Sequence, residues 1–127
     1  IIDDDTIVRN LLVSEFMKWT HERFEYSTYE FENGLDFVNS DWYSENQNHI
    51  ILLDSLMPQM AGIEVLTYVR SKYSSNNVLI SMLSAQKQEE NILTALELGA
   101  DDYLLKPFHP KEVVMRIQRL AERLFLT

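Results

Sequence analysis

The chain contains no cysteine, which excludes disulfides and thiolate chemistry and is compatible with the cytoplasmic location expected for it. Basic residues are scarce: 11 Lys and Arg stand against 20 Asp and Glu, for a net charge of −9. Nucleic acid is bound by basic patches on a phosphate backbone, so direct binding by this stretch is not expected. No apolar run approaches the ~20 residues that span a bilayer, and neither a signal peptide nor a membrane role is expected. Repeats, low-complexity tracts and an internal linker are also missing. At 127 residues the chain is one domain, large enough to bury roughly two-thirds of its unfolded surface.

What is there centres on Asp54. It closes the run His49-Ile50-Ile51-Leu52-Leu53-Asp54 and opens a turn shaped by Pro58 and Gly62. Four consecutive aliphatics, too few for a helix, read as a strand buried on both faces. Such strands lie in the middle of parallel sheets, whose ligands bind beyond the carboxyl ends of the strands. On its own, an Asp in this place is also an ordinary turn former or helix cap.

In order, the chain alternates strand and helix. Ile1-Ile2 end a first strand, expected to be cut short at its N-terminus. Asp5 caps a first helix over 6–20, with Ile7, Val8, Leu11, Leu12 and Phe16 at helical spacing. Residues 25–31 are rich in β-formers and read as a second strand. After the Asn33-Gly34 turn a second helix covers 35–43, and the third strand is the Asp54 run. A third helix covers 62–73, a fourth strand 78–83 and a fourth helix 87–98, stopped by Gly99. A fifth strand covers 102–105, and a fifth helix 110–126 turns Val113, Ile117, Leu120 and Leu124 inward. The prediction is a doubly wound α/β sandwich: five parallel strands, right-handed crossovers and five helices.

In a flavodoxin-like strand order, 2-1-3-4-5, the first, third and fourth strands meet at the switch point. Asp3, Asp4 and Asp54 then crowd one pocket, with Ser84 and Lys106 at the ends of the next two strands. Two carboxylates about 4 Å apart repel by about 4 kcal/mol at an effective dielectric of about 20. Three call for a cation, and oxygen ligands suit Mg²⁺ completed by water. Lys106 adds a second, movable positive charge. His21, His49 and His109 share no spacing that would suggest a metal or phosphorelay role.

Asp3-Asp4-Asp5, Asp54-x-x-Met57-Pro58-x-Met60-x-Gly62, Ser84-Ala85, Gly99-Ala100-Asp101-Asp102-Tyr103 and Lys106-Pro107-Phe108 together resemble the receiver (CheY-like) domain of two-component response regulators. The motifs stand in that family's order and spacing over essentially the whole chain, residues 1–127. The resemblance implies that Asp54 accepts a phosphoryl group from a sensor histidine kinase's phosphohistidine. It implies Mg²⁺ (or Mn²⁺) held by Asp4, Asp54 and the backbone carbonyl of Leu56, with Asp3 assisting through water. Ser84 would bind the phosphoryl oxygens, Lys106 would offset their charge from a cis Lys106-Pro107 peptide, and Tyr103 would be the switch aromatic. No turnover on an external substrate is implied. The Gly99–Tyr103 and Lys111-Glu112-x-x-x-Arg116-Ile117 patterns resemble the branch whose receivers precede a winged-helix DNA-binding domain. DNA would then be reached only through an effector domain outside this chain. Asn91 and Ile92 depart from that branch, where a basic residue would pair with Glu112. A phosphorylation-dependent homodimer is expected through the last helices and strand. Asp101, Asp102 and Glu112 would meet Arg116, Arg119 and Arg123 of the mate, around Val114 and Ala121.

Rival readings fit less well. An FMN protein wants a Ser/Thr/Gly-rich phosphate loop where this chain has Asp3-Asp4-Asp5. A dehalogenase-type phosphatase wants a second Asp two residues after its nucleophile, and position 56 is Leu. A pseudo-receiver acting only as a protein-interaction module is the remaining alternative; it would be expected to lose the acid pocket or the lysine.

Overall fold

The centre of the sheet is built from two strands with almost no solvent-facing residues. A computed structural model describes residues 1–126. In it β1 (His49–Asp54) is buried from Ile51 to Asp54, and β2 (Val78–Ser84) is buried throughout. They pair in parallel, His49 opposite Val78 through Asp54 opposite Leu83. β3 (Asp102–Leu105) adds to the far side of β2 in parallel, Ser81 opposite Asp102 through Ser84 opposite Leu105.

Among the described residues five helices flank this sheet: α1 (Thr6–Met17), α2 (Gly34–Val38), α3 (Gly62–Lys72), α4 (Glu89–Glu97) and α5 (Pro110–Phe125). Side chains alternate along each strand, so two cores form. Ile51, Leu53, Ile80 and Met82 pack with Phe37, Val65, Leu66, Val69 and Ala95 from α2, α3 and α4. Leu52, Leu79 and Leu83 pack with Leu12, Phe16, Val113 and Ile117 from α1 and α5. No helix among the described residues is long and apolar enough to cross a membrane.

Of the five expected strands, three form the parallel sheet among the described residues. Ile2 makes single parallel bridges to Phe31 on one side and Leu53 on the other. Residues 25–30 are exposed and do not form the expected second strand. Their neighbour is the short stretch Ile1–Asp3, which bonds them only at Tyr29 and Phe31. The second helix is also shorter than expected. Asn33 caps it by accepting from the Asp36 amide at 2.8 Å. Beyond its end Trp42 stacks on Phe37 and Tyr43 on Tyr73, which holds that segment as a packed loop.

The helix faces differ in detail. On α1, Ile7 and Leu11 are exposed while Arg9, Leu12 and Phe16 are buried. On α5, Val113 and Ile117 face inward as expected, but Val114 and Ala121 complete the buried stripe and Leu124 is exposed. The apolar centre expected for a dimer, Val114 and Ala121, is therefore part of this chain's own core.

Candidate functional site

At the carboxyl end of β1 the backbone brings three acids together. The Ile2 amide donates to the Leu52 carbonyl and the Asp54 amide to the Ile2 carbonyl, which sets Asp3 beside Asp54. Gly62 lets α3 start against the same strand end. Its amide donates to the Ser55 carbonyl at 3.0 Å, and a Cβ there would overlap the Asp54 carbonyl oxygen. Asp5 caps α1, accepting from the Ile7 amide at 2.9 Å, and its own amide donates to Asp3 Oδ1 at 2.8 Å. Arg9 reaches back from α1 and donates to the Asp3 carbonyl at 2.6 Å.

One ligand oxygen from each of Asp3, Asp4 and Asp54 lies within 4.8 Å of the others. Asp3 and Asp54 are buried and Asp4 is exposed, so the cluster opens to solvent on one side. Lys106 enters from the end of β3, whose register is held by its amide donating to the Ser84 carbonyl at 2.8 Å. Its Nζ donates to Asp3 Oδ2 at 2.8 Å and lies 3.3 Å from Asp54 Oδ1. The Lys106–Pro107 bond is cis. Burial and the neighbouring Asp3 charge push the Asp54 carboxyl up to about 6, against the pull of Lys106. Burial disfavours the Lys106 ammonium, but its hydrogen bond to Asp3 and the Asp54 charge outweigh this and raise its pKa. The set is short of positive charge, and its all-oxygen donors fit a hard divalent cation.

Ser84 is fully buried at the end of β2. Its hydroxyl hydrogen-bonds Ser55 and accepts from the Gln86 amide at 2.9 Å. Tyr103 is half-buried on β3, and its hydroxyl donates to the Gln86 carbonyl at 3.1 Å, so it touches the loop that follows Ser84. Leu56 lies in the loop after β1 with its side chain exposed. The expected interface charges are partly engaged within the chain. Asp101 accepts from Arg70 and from the Ile80 amide, both at 2.8 Å. Arg116 lies 3.4 Å from Asp102 and 3.8 Å from Glu112. Arg119 and Arg123 are exposed on α5.

Sequence reasoning missed Ser55, Arg9 and Arg70. Ser55 had a signal: a polar residue prolonging an apolar strand, level with Ser84 on the next one. Arg9 had one too, since 9, 12 and 16 share the inward row of α1. Arg70 also donates to the Gly99 and Val78 carbonyls, tying α3 to the turn before β3, and only the fold reveals that.

Comparison with known proteins agrees with this geometry. The response regulator receiver domain family matches residues 1–118. The chain belongs to that family. It is 38% identical over 123 residues to the transcriptional regulatory protein SrrA of Staphylococcus aureus, covering 97% of this chain and 47% of SrrA. This receiver domain thus spans about half the length of the curated relatives it matches. The BeF3-activated receiver domain of DrrB superposes with a TM-score of 0.79 at 25% identity, over 96% of this chain and 94% of that one. DrrB is a Thermotoga maritima OmpR/PhoB homolog. The receiver domain of the Francisella response regulator 1452 gives a TM-score of 0.74 at 29% identity, over 96% and 93% of the two chains. Receiver domains generally bind Mg²⁺ at an acidic pocket, and in this chain Asp3, Asp4 and Asp54 form an acidic cluster.

Proposed function

We propose that this receiver domain takes a phosphoryl group from the phosphohistidine of a sensor histidine kinase onto Asp54, in the cytoplasm, and controls transcription through an attached effector domain. The observation that carries this reading is the acid cluster held against Lys106, whose ammonium donates to Asp3 and lies beside Asp54. In the reaction an Asp54 carboxylate oxygen attacks phosphorus in line. A P–O bond forms, the P–N bond to imidazole breaks, and the released imidazole picks up a proton. Positioning and charge neutralisation are what the protein contributes. Asp3, Asp4, Asp54 and the Leu56 carbonyl would hold Mg²⁺ or Mn²⁺, which when bound neutralises charge on the phosphoryl oxygens. Lys106 would exchange an aspartate for a phosphoryl oxygen, and Ser84 would donate to another. The acyl phosphate is open to water along the same line, so the domain assists its own phosphorylation and dephosphorylation and turns over no external substrate.

Movement of Ser84 toward the phosphoryl group would draw the Gln86 loop with it, and Tyr103 is bonded to that loop. The face made by α4, β3 and α5 would shift between two packings and carry the output, with two-fold dimerisation through the same face. The pseudo-receiver alternative finds no support in a chain that keeps both the acid cluster and the lysine. Incubation with a small phosphoramidate and Mg²⁺, read by intact mass, tests the assignment. One phosphoryl group should add to the wild type and none to Asp54→Asn or to chelated protein. Undiminished labelling of Asp54→Asn would overturn the choice of Asp54.

A further inference from the structure

Ser55 follows the phosphoacceptor directly, and its hydroxyl is buried against Ser84, a side chain expected to grip the phosphoryl group. It lies one residue beyond the last paired positions of β1 and β2, Asp54 and Leu83, so it stands level with Ser84 on the same sheet face. Ser55 is 6% exposed and Ser84 0%. The Ser55 backbone is fixed where its carbonyl accepts from the Gly62 amide at 3.0 Å. The two hydroxyls hydrogen-bond each other, and Ser84 Oγ also accepts from the Gln86 amide at 2.9 Å.

A hydroxyl has one proton and two lone pairs. Without a phosphoryl group either hydroxyl can donate to the other, and each orientation leaves one proton without a partner among the described residues. Once Ser84 donates to a phosphoryl oxygen its single proton is committed, so the bond to Ser55 persists only with Ser55 as donor. Ser55 and the Gln86 amide then fill both lone pairs of Ser84.

We propose that Ser55 is a positioning residue: by donating to Ser84 in the phosphorylated state it fills that hydroxyl's second lone pair and leaves its proton to the phosphoryl oxygen. This rests on the phosphoacceptor reading of Asp54. A hydrogen-bonded chain of this kind also polarises its last member and strengthens the outgoing bond.

A double-mutant cycle tests it, with beryllofluoride and Mg²⁺ as the phosphoryl mimic and titration calorimetry as the readout. Ser55→Ala should weaken beryllofluoride binding about three- to tenfold, the worth of one net hydrogen bond. Ser55→Thr, which keeps the hydroxyl, should bind as the wild type does. In a Ser84→Ala background Ser55→Ala should change binding by less than about 1.5-fold, because its route to the ligand has gone. Ser55→Cys, a weak donor of similar size, replaces the alanine variant if that one does not fold. An unchanged affinity in Ser55→Ala overturns the proposal, as does an equal loss in the presence and absence of Ser84. A wild type that binds no beryllofluoride overturns the phosphoacceptor reading itself, and the role of Ser55 with it.

Discussion

Replacing Asp54 with Asn should stabilise the cation-free protein. Burial and the Asp3 charge raise the Asp54 carboxyl from its ordinary 3.8 to about 6, and that figure already includes the opposing attraction of Lys106. A tenfold change in proton affinity is worth about 1.4 kcal/mol, so the fold prefers the neutral carboxyl over the charged one by about 3 kcal/mol. Asn approximates that neutral carboxyl in size and polarity. Because the pKa is raised, the wild type has this stability in full below about pH 4 and loses it as the pH climbs to about 6. Asp54→Asn escapes the loss. Its advantage should be near zero at about pH 3.5, grow through this window, and level off at about 3 kcal/mol by pH 7. Urea denaturation in EDTA, followed by far-ultraviolet circular dichroism at several pH values, measures it. Added Mg²⁺ should narrow the gap, since a ligand that binds only the folded wild type stabilises it by mass action. A variant no more stable than wild type at pH 7, or an advantage equally large at pH 3.5, would refute the electrostatic account of the pocket.

Two further outcomes follow from the packing around the same site. Gly62→Ala puts a methyl group into the Asp54 carbonyl and within 2.9 Å of the Ser55 Cα; both are backbone atoms that cannot swing aside. It should cost about 2–3 kcal/mol in urea unfolding, and a loss under about 0.5 kcal/mol would mean that α3 slides freely on β1. Beryllofluoride should promote a salt-sensitive dimer through α4, β3 and α5, with exposed Met115 in place of the buried Val114 and Ala121 at its apolar centre. Arg116 must exchange Asp102 for a mate's acid, and exposed pairs are worth only about 0–1 kcal/mol each, so the dimer should be weak, roughly micromolar. Sedimentation of Arg116→Glu tests this, and a dimer untouched by that change would exclude the charge-paired geometry.

The parts of the fold legible in the sequence are those where a single physical pattern dominates. β1 and β2 are short apolar runs that fit nothing but a buried parallel strand, and their bounds were read to within a residue. Gly99 stops the segment after α4 with φ +110, a conformation that favours glycine. Residues 25–31 were misread because β-propensity measures fit to a pleated, half-buried surface. These side chains meet that surface only at Phe31. The same limit applies to α1, where apolar spacing alone does not tell that Ile7 and Leu11 face solvent.

The site was more legible than the sheet around it because strand ends converge whatever the sheet's outer strands do. Asp3, Asp54, Ser84 and Lys106 each sit where a backbone bond between neighbouring strand ends holds them: Ile2 to Leu52 and Asp54, and Lys106 to Ser84. Loss of pairing farther out does not disturb those bonds. What the sequence hides is the arrangement that prepares these groups. Arg9 on the Asp3 carbonyl, Gly62 against Asp54 and Ser55 against Ser84 are contacts that only the packing of strands and helices together reveals. Charges on the outer face are the opposite case. Asp101 looked free to meet a partner, yet it closes the turn before β3 by binding Arg70 and the Ile80 amide. An acid beside a strand satisfies the nearest amide first, and only the side-chain charges paired across solvent-facing surface, such as Glu112 with Arg116 on α5, remain free to choose between this chain and another.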